Sequence, residues 1–302
     1  MDYQPLTLTD KALFDRIFRR QRYENSWLTF TNLWMWHEAY APEWAQDGDV
    51  LFLRVTRENQ TYAFPPLLPP DADLAAAMEK LVIDFDRRGL PLEVKGLSPD
   101  MVKALEEAAP ARFRFTSLRD RWDYLYAATD LRELAGRKYH SKRNHISRFQ
   151  TTYPNWTYAP LTPELVPACR VNSDIWCEQR QCDLHPDLAF EYRAIQAALE
   201  NLTKLGLTGG AIFLDGKVEA FTFGEMLNED TLVIHIEKAN GEIPGLYPAI
   251  NQEFCRRAFP EAVWINREED LGSEGLRKAK ESYYPVRLVE KYAARLADNS
   301  EA

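Results

Sequence analysis

The stretch GGAIFLDGKVEAFTFGEML, residues 209–227, carries the strongest fold signal in the chain. Its two largely alternating apolar runs flank Asp215-Gly216, a dipeptide favoured in the tight turns of β-hairpins. We therefore predict a hairpin here, and NEDTLVIHIEKAN (228–240) supplies a third antiparallel strand. GEIPGLYPAINQEFCRRAF (241–259) is predicted to form a helix preceded by a glycine-bearing loop.

A weak internal repeat surrounds this pattern. Pro5-Leu6-Thr7 precedes one predicted helix pair and Pro160-Leu161-Thr162 precedes another, a spacing of about 155 residues. Tyr62-Ala63-Phe64 and Phe221-Thr222-Phe223 end the predicted hairpins of the two halves. We therefore predict an α+β protein made of two duplicated domains, residues 1–125 and 126–302.

The composition excludes several protein classes. The 302-residue chain has a net charge of -9 and is rich in aromatic residues, which argues against disorder. It has neither an apolar run of about 20 residues nor an N-terminal signal sequence, so a cytoplasmic protein is expected. The four cysteines form no CxxC pair, so we predict reduced thiols and no metal site. Residues 296–302 are predicted to be a frayed tail.

Residues 134–163 contain no Asp or Glu, and within them lies the basic sequence GRKYHSKRNHISRF (136–149). An acidic protein that concentrates cations in one segment has a local surface suited to an anion such as phosphate. We predict that residues 131–149 are helical, as one helix or as two broken at Gly136. Candidate phosphate-binding groups are Lys138, Lys142 and Arg143, and Asn144 is a candidate for holding a carbonyl or amide. Helical spacing predicts that Lys138, Lys142 and His145 lie on one helix face.

The loop at 239–245 is a second candidate anion site. Gly241 and Gly245 allow close approach of backbone, and the N–H groups at the start of the next helix can bind phosphate. The order of the elements resembles the GNAT N-acyltransferase fold, in which this loop holds the pyrophosphate of acyl-CoA. The glycine spacing here is wider than in the usual motif of that superfamily.

Polar residues at two strand ends are candidates for the chemistry. Glu237 ends the third predicted strand, where it can bind an α-amine or take its proton, and His235 lies on the same strand face. After the apolar run 263–265 comes the polar cluster Asn266-Arg267-Glu268-Glu269-Asp270, which holds further candidates. They are Asn266, Glu268 and Asp270 as catalytic residues, with Lys278 and Lys280 on the following helix as phosphate-binding residues.

Three sequences carry a closer resemblance: GRKYHSKRNHISRF, EKANGEIPGLYPAINQEF and NREEDLGSEGLRKAKESYYP. Together they are similar to the bacterial family that includes the C-terminal part of phosphatidylglycerol lysyltransferases (DUF2156). The resemblance implies two tandem GNAT-like domains related to Fem aminoacyltransferases, with the second domain catalytic. It also implies transfer of an aminoacyl group from aminoacyl-tRNA, through its acceptor end, to an amine or hydroxyl of a small molecule, peptide or lipid headgroup.

Two alternatives stay open at this point. One is an acyl-CoA-dependent N-acetyltransferase, which needs a narrow pyrophosphate loop at 241–245. The other is a non-catalytic binding module on the same fold. A tRNA donor instead needs a cationic surface formed jointly by the segments 137–148 and 277–280, so these segments must lie together. Neither a metal nor a bound organic cofactor is implied.

We expect Arg143→Ala to weaken donor binding and to leave the fold intact, because the guanidinium is predicted to contact donor phosphate. Titration with aminoacylated tRNA, followed by tryptophan fluorescence over a salt series, measures the change. An unchanged affinity would remove Arg143 from the site.

Overall fold

The computed structural model describes residues 1–70 and 72–297, so most of the predicted tail lies outside the described residues. Up to residue 122 the elements are β1 Gln4–Pro5, α1 Lys11–Gln21, α2 Phe30–Met35, α3 His37–Tyr40, β2 Glu43–Asp47, β3 Val50–Arg57, β4 Gln60–Ala63, α4 Leu74–Arg87, β5 Glu93–Leu97, α5 Pro99–Ala108 and β6 Phe113–Ser117. From residue 123 they are β7 Asp123–Ala127, α6 Ala128–Glu133, α7 His140–Thr152, β8 Thr157–Pro160, α8 Val166–Arg180, α9 Pro186–Glu200, α10 Leu202–Leu205, β9 Thr208–Leu214, β10 Lys217–Met226, β11 Thr231–Ala239, α11 Leu246–Arg257, β12 Trp264–Asn266, α12 Glu274–Glu281, β13 Arg287–Val289 and β14 Tyr292–Leu296.

Two seven-stranded mixed sheets organise these elements. The first has the order β1-β2-β3-β4-β5-β14-β6 and the second β8-β9-β10-β11-β12-β7-β13. The pairs β4–β5 and β11–β12 are parallel, whereas the pairs from β1 to β4 and from β8 to β11 are antiparallel. Because the two orders match strand by strand, the predicted α+β duplication is confirmed at the level of topology.

The two sheets exchange one strand each. The seventh strand of the sequence, β7, lies between β12 and β13 in the second sheet, and the last strand, β14, lies between β5 and β6 in the first. The compact units follow this exchange. The first contains Met1–Asp123, Glu269–Glu274 and the described residues from Leu288 onward, and the second contains Tyr124–Glu268 and Gly275–Arg287. The chain thus contributes to the first unit again after residue 268.

The predicted hairpin at 209–227 is confirmed as β9–β10. Asp215 and Gly216 both have positive φ, 48° and 79°, as a two-residue turn of the type favoured in hairpins requires. β10 then pairs with β11 along Ala220–Met226. The repeat was aligned wrongly at one place, because Tyr62 and Ala63 belong to β4, whose counterpart is β11, whereas Phe221–Phe223 belong to β10.

The basic segment is broken rather than continuous. α6 ends at Glu133, Leu134 has a φ of 48° and Gly136 a φ of 81°, and a 3-10 turn at Arg137–Tyr139 leads into α7. Lys138 therefore does not lie on α7, and the predicted shared face of Lys138, Lys142 and His145 is wrong. Phe149 of α7 packs with Leu246 and Ile250 of α11, which joins the two helices in one core.

The cysteine prediction is wrong in part. Cys177 near the end of α8 is joined to Cys182 by a disulfide, with 5.2 Å between the Cα atoms. Gln181 ends α8 with a φ of 52°, and this turn brings Cys182 back toward the helix. Cys169 and Cys255 are free and buried, as predicted. Within residues 1–70 and 72–297, no group of His, Cys, Asp and Glu is suited to hold a metal ion, and no helix is long and apolar enough to cross a membrane.

A buried charge network fixes β14 in the first unit. Lys291, directly before this strand, is fully buried with its Nζ atom 2.6 Å from Asp123 and 3.1 Å from Glu269. Ser26 donates its hydroxyl to Asp123 at 2.9 Å and its backbone N–H at 2.8 Å. Because Asp123 is also fully buried, its carboxylate would lose a buried ammonium partner if Lys291 were removed.

We expect Lys291→Met to lower the free energy of unfolding by about 3–5 kcal/mol, because it leaves the Asp123 carboxylate buried without its cation. Amide hydrogen exchange localises the effect, and β5 and β6 should lose protection while β10 and β11 keep theirs. Arg295→Ala is the matched control on β14, since this exposed side chain pairs with Glu93 at the surface and should contribute less than about 1 kcal/mol. Equal loss of protection in both sheets would contradict the assignment of β14 to the first unit.

Candidate functional site

The parallel strands β11 and β12 pair at only three positions. Their pairing covers Thr231–Val233 with Trp264–Asn266, and β12 ends there, whereas β11 continues to Ala239. We call the region beside residues 234–239, where β12 no longer pairs with β11, the β11–β12 opening. It is surrounded by side chains from the loop after β12, from α11 and from α7.

Glu237 of β11 lies in this opening and has both carboxylate oxygens engaged. Arg267, directly after β12, donates from Nη2 to Oε1 at 3.0 Å, and Asn251 of α11 donates from Nδ2 to Oε2 at 2.8 Å. The side chains of Glu237 and Arg267 are only 13% and 14% exposed. Two partners from different elements therefore hold the carboxylate in a single orientation, and each oxygen keeps a lone pair for a ligand.

Arg267 is a buried cation in aromatic surroundings. Its guanidinium carbon lies 4.7 Å from the ring centre of Tyr283 and 5.8 Å from that of Tyr126. Burial is the largest single effect and opposes its charge, but Glu237 together with Tyr126, Tyr283 and Cys255 raises the pKa of Arg267 above its usual value. The buried Nη1 atom has no hydrogen-bond partner within the described part of the chain. Arg267 thus retains donor capacity that the protein itself does not satisfy.

Lys142 connects the basic segment to the opening. Its Nζ atom lies 3.9 Å from the ring centre of Tyr283. Burial, followed by the charge of Arg267, lowers the pKa of Lys142 to about 8, with Glu237 acting in the opposite direction. Tyr139 also donates its hydroxyl to the backbone oxygen of Tyr283 at 2.8 Å, and Lys138 lies 5.7 Å from the ring centre of Tyr284. The basic segment therefore lies against Tyr283 and Tyr284, which follow α12.

His235, on the same strand as Glu237, stands between the carboxylates of Glu225 on β10 and Glu268 after β12. Its Nδ1 atom is 2.9 Å from Glu268 and its Nε2 atom 3.1 Å from Glu225. Burial would lower the pKa of His235, but hydrogen bonds to Glu225 and Glu268 raise it to about 9. Glu268 has a φ of 55°, and its backbone N–H donates to the side-chain oxygen of buried Asn266 at 2.7 Å. Asn266 thus binds the backbone N–H of Glu268, and His235 binds its carboxylate, so both hold the turn after β12 in place.

The remaining candidate residues are dispersed. Asp270 belongs to the first unit, where it is fully buried, lies 3.3 Å from Arg119 and accepts the N–H of Gly272. Lys280 donates to the backbone oxygens of Arg267 and Glu268, so it fixes the turn after β12. Arg143 donates to the backbone oxygens of Leu134 and Gly136, so Arg143→Ala would also loosen the break between α6 and α7. Exposed positions are Lys138, Asn144, Gly241 and Lys278.

The loop before α11 is poorly suited to a pyrophosphate. Gly245 has a φ of 87°, and a Cβ atom there would collide with the backbone oxygen of His145, so this glycine serves the packing of α7 on α11. The N–H of Leu246 donates to Ile243 at 3.3 Å, and Pro248 has no N–H. Two of the first three positions of α11 therefore cannot present an N–H group to an anion.

The equivalent place in the first unit is filled by protein. β4 and β5 pair at Ala63 and Val94 only, and the ring of Trp27 lies edge-on to Phe64 at 6.0 Å. A Cβ atom on Gly96 of β5 would lie 3.2 Å from the same ring. The ring of Trp27 therefore packs against the region between β4 and β5.

Sequence reasoning missed three contributors to the opening. Arg267 was noted only as a member of the polar cluster, while its neighbours Asn266, Glu268 and Asp270 were preferred. Asn251 lies inside a predicted helix and Tyr283 at the end of another, where neither has a sequence signal of its own. The one available signal was that Arg267 follows closely after the apolar run 263–265. A residue directly after a strand lies in a connecting segment, where binding and catalytic residues are often found.

We expect the stabilising effect of His235 to depend on pH. Because the pKa in the folded protein is raised to about 9 from an ordinary value of 6.5, the contribution is fully present below pH 6.5 and is lost as the pH rises through 9. Urea unfolding of the wild type and of His235→Gln between pH 6 and 10 should show a stability difference that shrinks with pH. A difference that is constant over this range would contradict a charged His235.

Comparison with known proteins agrees with this architecture. A structure of a conserved protein of unknown function from Bacteroides thetaiotaomicron is 39% identical, covers 98% of this chain and 99% of its own, and superposes with a TM-score of 0.93. L-PGS from Bacillus licheniformis is 16% identical over 88% of this chain and 87% of its own, with a TM-score of 0.63. A tandem GNAT protein from the clavulanic acid biosynthesis pathway is 11% identical over 99% of both chains, with a TM-score of 0.50.

These likenesses confirm the predicted α+β fold of two tandem GNAT-like units. The family model described as phosphatidylglycerol lysyltransferase, C-terminal, matches residues 18–295, nearly the whole chain. The chain therefore belongs to the family of phosphatidylglycerol lysyltransferase C-terminal domains, an acyltransferase type built on the tandem GNAT fold.

Proposed function

We propose that the second unit transfers an aminoacyl group from aminoacyl-tRNA to an amine or hydroxyl acceptor. The observation that carries this proposal is the meeting of a held carboxylate, Glu237, with Lys142 of the basic segment around the same Arg267 and Tyr283. A carboxylate suits the α-ammonium group of an aminoacyl ester, and a basic segment suits the phosphates that follow it. One opening thus combines the two recognition elements that such a donor needs.

Glu237 is the proposed ligand of the α-ammonium group. Arg267 and Asn251 each use one lone pair of the carboxylate, which leaves it oriented and able to accept from a third donor. The aminoacyl ester is already activated, so transfer requires positioning and proton transfer rather than a covalent enzyme intermediate. The free thiols Cys169 and Cys255 are buried with raised pKa values of about 12, which does not suit nucleophiles.

The basic segment is the proposed contact for the acceptor end of the tRNA. Arg137, Lys138 and Arg148 are exposed along it, and Lys142 extends from the same segment into the opening. The net charge of -9 favours a contact limited to this segment, because the rest of the surface repels phosphate. Such a donor would place the reaction in the cytoplasm. The acceptor class includes a lipid headgroup, a peptide or a small amine.

An acyl-CoA donor is less well supported. The opening lies where the GNAT fold binds its donor, but Leu246 and Pro248 withdraw two positions of the α11 start from pyrophosphate binding. Gly245 is used for helix packing. These features favour the aminoacyl-tRNA donor over acetyl-CoA in the second unit.

The test is a transfer assay with a pool of radiolabelled aminoacyl-tRNAs and three separate acceptors: phosphatidylglycerol vesicles, a peptide with a free amine, and a polyamine. We expect salt-sensitive transfer to one acceptor class. Glu237→Gln should lower kcat/KM by about 10- to 150-fold, because a charge-assisted hydrogen bond contributes about 1.5–3 kcal/mol. Lys204→Ala, at an exposed position on α10, is the control and should leave transfer unchanged.

Melting temperatures of both variants show whether a loss of transfer reflects unfolding, since Glu237→Gln also removes the charge opposite Arg267. Acetyl-CoA is tested in parallel with the same acceptors. Acetyl transfer without aminoacyl transfer would replace the proposal with an N-acetyltransferase. Failure to bind either donor would instead indicate a non-catalytic binding module.

A further inference from the structure

Two cations share one aromatic ring in the β11–β12 opening. The Nζ atom of Lys142 lies 3.9 Å from the ring centre of Tyr283, and the guanidinium carbon of Arg267 lies 4.7 Å from it. Tyr283 is itself buried, and its backbone oxygen is held by the hydroxyl of Tyr139. The ring therefore has a fixed position, and both cations lie near it.

Lys142 differs from the other cations of its segment. Lys138 forms an ion pair with Asp130 at 2.9 Å, and Arg143 is hydrogen-bonded to two backbone oxygens. Lys142 has no ion pair within residues 1–70 and 72–297, although it is half-buried. The like charge of Arg267 disfavours the charged amine and offsets part of the stabilisation that the ring supplies. Its position is better explained by chemistry in the opening.

We propose that Lys142 is the proton carrier of the transfer reaction: its neutral amine takes the proton of the attacking acceptor and returns it to the ribose oxygen that leaves. This assignment rests on the proposed function, because it concerns the reaction of an aminoacyl ester. It adds a catalytic residue on α7 to an opening whose other polar groups, Glu237 and Asn251, recognise and orient.

The step is balanced in atoms and electrons. The lone pair of the acceptor nitrogen or oxygen attacks the ester carbonyl carbon while the neutral Lys142 amine accepts the acceptor proton. The carbonyl π pair moves to the oxygen, and a tetrahedral oxyanion forms. When the pair returns, the bond between the carbonyl carbon and the ribose oxygen breaks, and that oxygen takes the proton from the Lys142 ammonium. The products are the aminoacylated acceptor and the free hydroxyl of the tRNA.

Arg267 supports this cycle in two ways. Its positive charge adds to the effect of burial on Lys142, whose pKa of about 8 leaves a substantial neutral fraction near neutral pH. Its Nη2 atom also donates to Glu237 at 3.0 Å, which keeps that carboxylate oriented beside the amine. Arg267 itself stays charged throughout, because a guanidinium next to a carboxylate does not lose its proton in this pH range.

The surroundings of Lys142 account for its proton affinity. From β11, Glu237 favours the charged form, and from the residue after β12, Arg267 disfavours it. Tyr283, beyond α12, presents its ring, and burial raises the pKa of its hydroxyl so that it stays neutral. Cys255 of α11 and Tyr126 of β7 lie near Arg267 and are likewise neutral, because burial raises their pKa values. Within residues 1–70 and 72–297, Glu237 is thus the one anion that acts on this amine.

Lys142→Arg and Lys142→Ala together test the role. Both should lower kcat by about 10²- to 10⁴-fold at pH 7.5, with KM changed less than about threefold, because the arginine keeps the charge but cannot release its proton. In the wild type, kcat should rise about tenfold per pH unit between pH 6 and 7.5 and level off above 8, since the neutral amine is the active form. Lys142→Arg with wild-type kcat would show that only the charge matters and would overturn the proposal.

A second measurement does not depend on turnover. Reductive methylation with ¹³C-formaldehyde labels the lysines, and the signal absent from the Lys142→Arg spectrum identifies Lys142. We expect this signal to titrate near pH 8. A Lys142 signal that titrates near the ordinary lysine pKa, close to 10.4, overturns the proposal even if transfer is observed. If the wild type transfers no aminoacyl group, the proposed function fails, whereas a titration near pH 8 still supports the neutral amine.

Discussion

The ion pair between Glu237 and Arg267 is the constraint on which the β11–β12 opening depends. Strands that separate after three paired positions expose backbone and leave a space, and a buried guanidinium there is unfavourable unless an anion offsets its charge. Glu237 supplies that anion at 3.0 Å, and Asn251 orients it. The pair therefore bridges the separated strands and at the same time determines the electrostatic character of the space between them.

The basic segment reaches this space through structural contacts of its own. Arg143 satisfies backbone oxygens at the break between α6 and α7, and Tyr139 anchors the turn to the backbone of Tyr283. Gly245 lets α7 approach the start of α11 closely. Several residues of this conspicuous sequence thus serve the fold, and they do so in a way that leaves Lys142 with its amine in the opening.

The sequence predicted local secondary structure well, but it did not predict which side chains pair with each other. The turn Asp215-Gly216 and the alternating runs around it depend on neighbouring residues only, so the hairpin was predictable. Glu237 was identified from its place at a strand end. Arg267 and Asn251 become its partners only through the packing of β12 and α11, which has no sequence signature. Asp270 has the same residue type as a catalytic acid, but the chain enters the other unit one residue before it.

The exchanged strand β14 also determines the order in which the chain can fold during synthesis. The second sheet has all its strands once residue 289 has emerged, whereas the first lacks its strand between β5 and β6 until residue 296 has emerged. At about 5–20 residues per second, the edges of β5 and β6 wait roughly 10–35 s after β6 is made. The usual order, in which the N-terminal unit is finished first, is therefore reversed here. A chain that stalls before residue 292 leaves the edges of β5 and β6 without β14, and unpaired strand edges favour aggregation.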